Sequence, residues 1–553
     1  MKKIYILMLV FFISEKSFSQ IKISDEQKSK NEFFQETYID ALDFADMGLY
    51  ENALKLFIKL DALYPENYNL LYNIGVCYIR SDFDKTKAIP FLEKAIKNTS
   101  IHYKGLWSDS TAALDTYFFL GETYAFNMQF DKAISSFNQY KILLNKEHYS
   151  RFFNGETKND ILKETDKQLN FCYNAKRFIS NPLVAKIDNA GSLINSIYND
   201  FTPILTADEK IMYFTSDRIG CMKDISSKND ECLADIYLSE YNFDLKKWDS
   251  IKKIGQPLNT AGYDECVHLS HDGKYMIIHR EKSDDKNIYI SEFKDNQWSV
   301  PASPSGDINL KSSETRACLS ADNNTLYFVS DRKGGYGGKD IWFSERLANG
   351  GWSVPQNMGP HINTPLNEES PFLSLDGTTL YFSSEGHESI GGYDIFKSIK
   401  TGEGWSNAEN IGYPLNSLYN EMRFSIVADN SHGYFSSDRF GGFGKQDIYR
   451  VDFIHDKKPM TILKGIVFDA DTYKPVSAKI QLEESKSGDV VALINNNTEN
   501  GEYFITLEPD KNYKMIVTTD NYKSFVDKLD TDSEKQINKA VLLKKFDKGN
   551  KKN

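Results

Sequence analysis

Five acidic residues fall at one equivalent position of a repeated segment: Asp200, Asp264, Glu314, Glu368 and Glu421. Carboxylates gathered on one circle would attract a metal ion or a cationic peptide if they faced a common axis. Each acid could instead cap a turn or pair with the arginine of an adjoining segment, with Arg218, Arg332 and Arg439 as candidates. Burying five unpaired carboxylates together is costly, which favours pairing, but both arrangements stay open on the sequence. Motifs for covalent or metal chemistry are not found. There is no Gly-x-Ser-x-Gly elbow, and Gly386-His387-Glu388-Ser389-Ile390-Gly391 has the wrong spacing for one. No His-Glu-x-x-His occurs, and the nine histidines offer no ligand pair with a third ligand at sensible spacing. His268, His271 and His279 are close along one segment whose counterparts lack them, which favours packing over catalysis. We therefore expect no catalytic residue, no metal site and no cofactor.

The elements that would position these acids repeat at an interval of about 53 residues between Asn199 and Phe453. The clearest mark is an acid or amide, then Ile, then an aromatic: Asp235-Ile236-Tyr237, Asn287-Ile288-Tyr289, Asp340-Ile341-Trp342, Asp394-Ile395-Phe396 and Asp447-Ile448-Tyr449. Within each unit a strand ends in Asp or Asp-Gly, as at Asp272-Gly273 and Asp376-Gly377, which suits a tight hairpin turn. The next strand alternates apolar and polar residues, as in Thr325-Leu326-Tyr327-Phe328-Val329, so one face is buried. Four short strands per unit make a small sheet that cannot bury both faces alone, and radial stacking solves that problem. The expectation is a five-bladed β-propeller over 183–453. The last unit lacks its closing segment, while an orphan one, Leu183 to Ser196, precedes the first; the N-terminal strand would complete the fifth blade. Blade two departs from the pattern, with His279-Arg280-Glu281 in place of Ser-Asp-Arg.

The flanks read differently. Residues 1–19 have the form of a secretory signal: Lys2-Lys3, an apolar run from Ile4 to Ile13, then Ser17-Phe18-Ser19. No stretch in the rest of the chain is apolar enough to span a bilayer. An extracytoplasmic compartment permits disulfides, and Cys221 and Cys232 flank an insertion in a loop, where a bridge is expected; Cys77, Cys172, Cys266 and Cys318 sit in apolar patterns as buried thiols. Residues 33–182 have a helical period with an insertion around Thr99 to Ala113 and a capping helix from about Asp160 to Ile179. Residues 460–545 show short alternating strands that describe a small β-sandwich, and 546–553 form a basic tail expected to be disordered. The fold class is thus multidomain, α then β. A formal net charge of −12 argues against nucleic acid as a partner.

Three resemblances follow from these residues. Leu120-Gly121, Tyr124, Ala133, Phe137 and Tyr140 are spaced as in the tetratricopeptide (TPR) repeat, with two further copies upstream. This implies a solenoid whose groove binds a protein, with Tyr38, Asn69, Asn73, Tyr117 and Glu122 as its exposed candidates. The Leu-Ser-x-Asp-Gly, Leu-Tyr-Phe-x-Ser-Asp-Arg and Gly-Gly-x-Asp-Ile-Tyr strings resemble the PD40, or WD40-like, repeats of TolB-type propellers. The string from Gly465 to Pro475-Val476, with Gly501-Glu502-Tyr503, Leu507, Tyr513 and Asn521-Tyr522, is similar to the carboxypeptidase regulatory-like domain, a non-catalytic module. Together they resemble the PorE/OmpA-family envelope proteins of Bacteroidota, here without the OmpA-like domain, so peptidoglycan binding is not supported. What the resemblance implies is a non-enzymatic periplasmic scaffold at the outer membrane that binds envelope proteins and is an accessory to type IX secretion or envelope assembly. A propeller enzyme acting on peptide or carbohydrate in its axial channel is the alternative.

Overall fold

The computed structural model describes residues 25–146, 157–219, 233–282, 285–310, 312–402, 404–454, 461–497, 500–531 and 536–546. Residues 1–19, expected to be a secretory signal, Cys221 and Cys232, expected to be bridged, and nearly all of the basic tail lie outside them. The chain divides into two compact units, one comprising residues up to 127 with 138–155, the other 128–137 with 156–553.

The first unit is helical. Helices α1 (Asp25–Asp46), α2 (Tyr50–Leu63) and α3 (Tyr68–Arg80) share a core of Phe34, Tyr38, Ala41, Ala53, Phe57, Leu60, Leu70 and Ile74. α3 starts where the Asn67 side chain accepts from the N–H groups of Asn69 and Leu70, the usual remedy for orphan donors at a helix start. α4 (Ile89–Ala95) packs on α3 through Gly75, where an added Cβ would lie 2.5 Å or less from two side-chain atoms of Leu92. The small residue therefore sets a close helix approach. α5 (Thr116–Phe126) follows the insertion, and the next helix in the chain, α6 (Phe130–Lys146), is divided between the two units.

In the second unit α7 (Lys158–Ser180) opens with a reciprocal capping box between Thr157 and Asp160. β-structure then predominates. Five antiparallel sheets of the described residues start with the strands Asp200–Leu205, Tyr263–Leu269, Glu314–Leu319, Glu368–Leu373 and Glu421–Ile426, here called sheets I to V. Each first strand abuts that of the next sheet, and the first strand of V abuts that of I, so the contacts close a cycle. This is a propeller arrangement. The strand Ala185–Asn189 pairs antiparallel with Asp447–Phe453 of sheet V, supplying its outer strand. Backbone bonds tie neighbours together: Asp264 N–H donates to Ala234, Glu368 N–H to Lys339, Glu421 N–H to Tyr393 and Asp200 N–H to Gln446, the last linking V to I.

The remaining strands form two further sheets. One contains Thr461–Asp469, Glu502–Leu507, Gln536–Asn538 and Val541–Leu543; the other runs Val490–Asn495, Lys479–Glu484, Asn512–Thr518, Phe525–Asp530. Leu463, Val467, Tyr503 and Ile505 of the first meet Ile480, Leu482, Met515 and Val517 of the second in one apolar cluster. Alternate residues of each strand enter it, which is the period of two seen in the sequence.

Among the described residues no helix is long and apolar enough to cross a membrane.

Candidate functional site

The repeated residues prove to be one structural clamp built again in each sheet. An Asn from the return segment donates to the carbonyl of the repeated Ile and accepts from its N–H: Asn259 on Ile236, Asn309 on Ile288, Asn363 on Ile341, Asn416 on Ile395, and Asn195 on Ile448 across the closure. The Asp before that Ile orders the glycine-rich loop, as where Asp340 accepts from Tyr336 N–H at 2.5 Å and Gly337 N–H at 3.1 Å. The equivalent acids are fully buried, and four meet an arginine: Asp200 with Arg218, Asp264 with Arg280 (2.6 Å), Glu314 with Arg332 (3.1 Å) and Glu421 with Arg439 (2.9 Å). Each guanidinium also covers the aromatic ring of its own motif, Tyr237, Tyr289, Trp342 or Tyr449.

This geometry decides between the arrangements the sequence left open. The acids do not form an open rim on the axis; they are consumed in the clamp. The pairing lies within one sheet and not between adjoining ones, because acid and arginine flank the same hairpin. Sheet II keeps the pair despite its divergent sequence, since Arg280 does the work of Arg218, Arg332 and Arg439. Sheet IV differs. It has Gly386 in place of the arginine, and His387 Nε2 lies 2.9 Å from the Ile362 carbonyl that an arginine would occupy. Glu368 there is held by Thr364 N–H and Oγ1 and by Ser384 Oγ, and burial pushes its carboxyl up to about 7.

The axis is lined instead by the next residues of the first strands. Bulges interrupt these strands after Phe201, Glu314, Glu369 and Met422, and Thr202, Ser370 and Arg423 take left-handed φ values of 55°, 54° and 58°. Such bulges re-aim side chains. Glu265 of sheet II accepts from Thr202 Oγ1 (2.6 Å) and Tyr263 OH (2.8 Å) and pairs with Arg316 of sheet III (2.9 Å). It also faces Arg423 of sheet V at 3.5 Å, and sheets II and V are not neighbours, so that contact spans the axis. Glu369 of sheet IV is paired with Lys339 at 2.5 Å. Burial works to raise both carboxyls, but Arg316 with Arg423 around Glu265, and Lys339 with Arg316 around Glu369, outweigh it and hold both below the usual range. Burial lowers His279, which lies 3.7 Å from Glu265.

Above this cluster, at the same end of the sheets, connections expose Ile197, Ile219, Tyr336, Phe440 and Phe443, each at least half exposed. Among the described residues no set of His, Cys, Asp and Glu is placed to hold a metal ion.

The helical candidates are largely corrected. Tyr38, Asn69 and Asn73 are buried, in one polar knot: Tyr38 OH donates to Asn69 Oδ1 (3.1 Å), Asn73 Nδ2 to the same oxygen (2.9 Å), and Tyr103 OH to it as well (2.6 Å). Asn69 Nδ2 donates to the Leu106 carbonyl. The insertion carrying Tyr103 and Leu106 thus covers the positions expected to face a partner. Tyr117 and Glu122 are half-buried. Cys77, Cys172, Cys266 and Cys318 are buried free thiols.

The axial residues Glu265, Arg316, Glu369 and Arg423 were not singled out in the sequence. The available signal was a charged residue directly after the repeated acid position or one beyond it, where strand alternation sends the first inward to the clamp and the bulge redirects the next.

No protein-family model and no curated protein matches the sequence. Solved structures that superpose include TolB of Acinetobacter baumannii, at 16% identity and a TM-score of 0.27, covering 47% of this chain and 56% of that one. A TolB of Agrobacterium tumefaciens superposes at 15% identity and a TM-score of 0.31, over 59% of this chain and 99% of that one. A gluconolactonase of Xanthomonas campestris does so at 11% identity and a TM-score of 0.30, over 50% and 92%.

Proposed function

We propose that this chain is a non-enzymatic scaffold or adaptor acting outside the cytoplasm, in the periplasm at the outer membrane, and that it holds a protein partner on the end of the propeller where the axial cluster lies. In this reading sheets I to V are the blades of a closed five-bladed propeller, the C-terminal pair of sheets is a small β-sandwich, and the N-terminal helices are TPR-like repeats. A role in type IX secretion or envelope assembly belongs to the same proposal.

The observation that carries it is the pairing of the axial carboxylates, Glu265 with Arg316 and Glu369 with Lys339. Acid–base catalysis by two carboxyls needs environments that push their pKa values apart, one up and one down. Glu265 and Glu369 are both pushed down, and the carboxyls of sheet IV that burial pushes up, Glu368 and Asp394, are fully buried in their clamp. Fixed charges under a rim of Tyr336, Phe440 and Phe443 suit recognition, since aromatic anchors around buried polar groups dominate protein interfaces. The test is recovery of the tagged full chain from envelopes in mild detergent. A stoichiometric protein partner is expected; its absence, with turnover of a peptide or glycan substrate by the purified chain, would favour the enzymatic alternative.

A further inference from the structure

The two sheets of the C-terminal region treat their edges differently. The strand Phe525–Asp530 at one edge of the second sheet carries Asp527, Lys528 and Asp530, charges that keep an edge from pairing with other chains. The opposite edge, Val490–Asn495, reads Val-Val-Ala-Leu-Ile-Asn, with no charge and no proline. Among the described residues it pairs on one side only, with Lys479–Glu484. Ala492 and Ile494 turn into the core, while Val490, Val491 and Leu493 are 53%, 43% and 51% exposed. Asn496 N–H donates to the Ala478 carbonyl, so alternation places the N–H and C=O of Leu493 on the open side.

That open edge faces a cleft of about 1370 Å³, whose far wall is formed by hairpin turns of sheets II, III and IV. The volume exceeds the roughly 300–1,000 Å³ of a small-molecule site. The turns present Asp272, Asp322 and Asp376, which accept hydrogen bonds from hydroxyl, amide and backbone donors; Thr506 and Asn497 of the C-terminal region are among these, on Asp376 and Asp272. Glu502 lines the cleft too. Of the lysines there, Lys539 is paired with Asp527, leaving Lys400 and Lys464 against four carboxylates. The cleft is therefore acidic, apolar at the strand, and supplied with unpaired backbone groups.

We infer that Val490–Asn495 is a docking edge for an extended segment of a partner protein, added as a further strand, whose apolar side chains alternate with lysine or arginine. Backbone bonds to an open edge supply affinity in this mode, and alternate side chains supply specificity. A second copy of this chain fits less well, because each copy's edge lies inside its own cleft. The site is on the turn end of the sheets, away from the axial rim, and does not depend on the function proposed above.

The experiment uses the full chain and a fluorescent, N-acetylated octapeptide alternating Val and Lys. It should bind, and both Leu493→Pro, which removes the outward N–H, and a peptide N-methylated at alternate residues should weaken binding at least ten-fold. A Val-to-Glu alternation should bind worse than Val-to-Lys. A Val491→Lys, Leu493→Lys variant serves as the second probe if the proline variant melts early. The inference is overturned if the Val/Lys peptide does not bind, if N-methylation leaves binding unchanged, or if the wild type sediments as a dimer that the double-lysine variant dissolves.

Discussion

Glu368 shows how one substitution in a repeat changes the chemistry of a position. Where the other sheets set an arginine against the acid, sheet IV has Gly386, and a Cβ there would lie 2.2 Å from Thr364 Oγ1. No long side chain fits. Burial then raises the Glu368 carboxyl from 4.5 to about 7. The consequence for stability has a definite sign. Below pH 4.5 both folded and unfolded chains hold the proton; between 4.5 and 7 only the folded chain does, so stability falls as pH rises through that window. The full loss is on the order of 3 kcal/mol. Glu368→Gln should therefore melt higher than the wild type at pH 8, with the gap shrinking towards pH 4.5. A gap of the same size at both pH values would mean that Glu368 is ionised in the folded chain.

At the scale of elements, two segments join parts of the chain far apart in sequence. The strand Ala185–Asn189 completes sheet V, and Asn189 Nδ2 donates to Asp447 at 2.7 Å, as Asn357 and Asn410 do to Asp340 and Asp394 in their sheets. Deleting residues 183–189 should lower the melting temperature far more than removing 547–553, because it opens a sheet edge and leaves a buried acid short of a donor. Equal melting temperatures would show that closure does not depend on this strand. In the helical unit the insertion plays a comparable part. Tyr38 is 1% exposed between Phe34 and Phe57 and hydrogen-bonded to Asn69. Tyr38→Ala should cost about 3–5 kcal/mol by the usual cost of emptying an aromatic site, and removing Tyr103's hydroxyl by Tyr103→Phe about 1 kcal/mol. A Tyr38→Ala variant with unchanged denaturation midpoint would return that residue to the surface.

For the whole molecule, what was legible in the sequence is what each sheet needs in the same form. Asp, Ile, the aromatic and the distant Asn have fixed partners within or next to their own sheet, so their types repeat and the period can be read. The axial cluster has no such constraint. Thr202, Glu265, Arg316, Glu369 and Arg423 differ from sheet to sheet and meet only when the cycle closes, so their place after the repeated acid is legible but their partners are not. Tyr38 and Asn69 were misread for a related reason: helical periodicity says which face a residue is on, but not that an insertion of the same chain returns to cover it. The central claim is that the rim above the axial cluster binds a protein. It is tested most directly by replacing Tyr336, Phe440 and Phe443 together with Ser and comparing envelope recovery with the wild type at matched melting temperature. These side chains are half exposed or more, so folding should be nearly unaffected, while the partner's yield should fall at least ten-fold. The same partner recovered in the same yield would contradict the account.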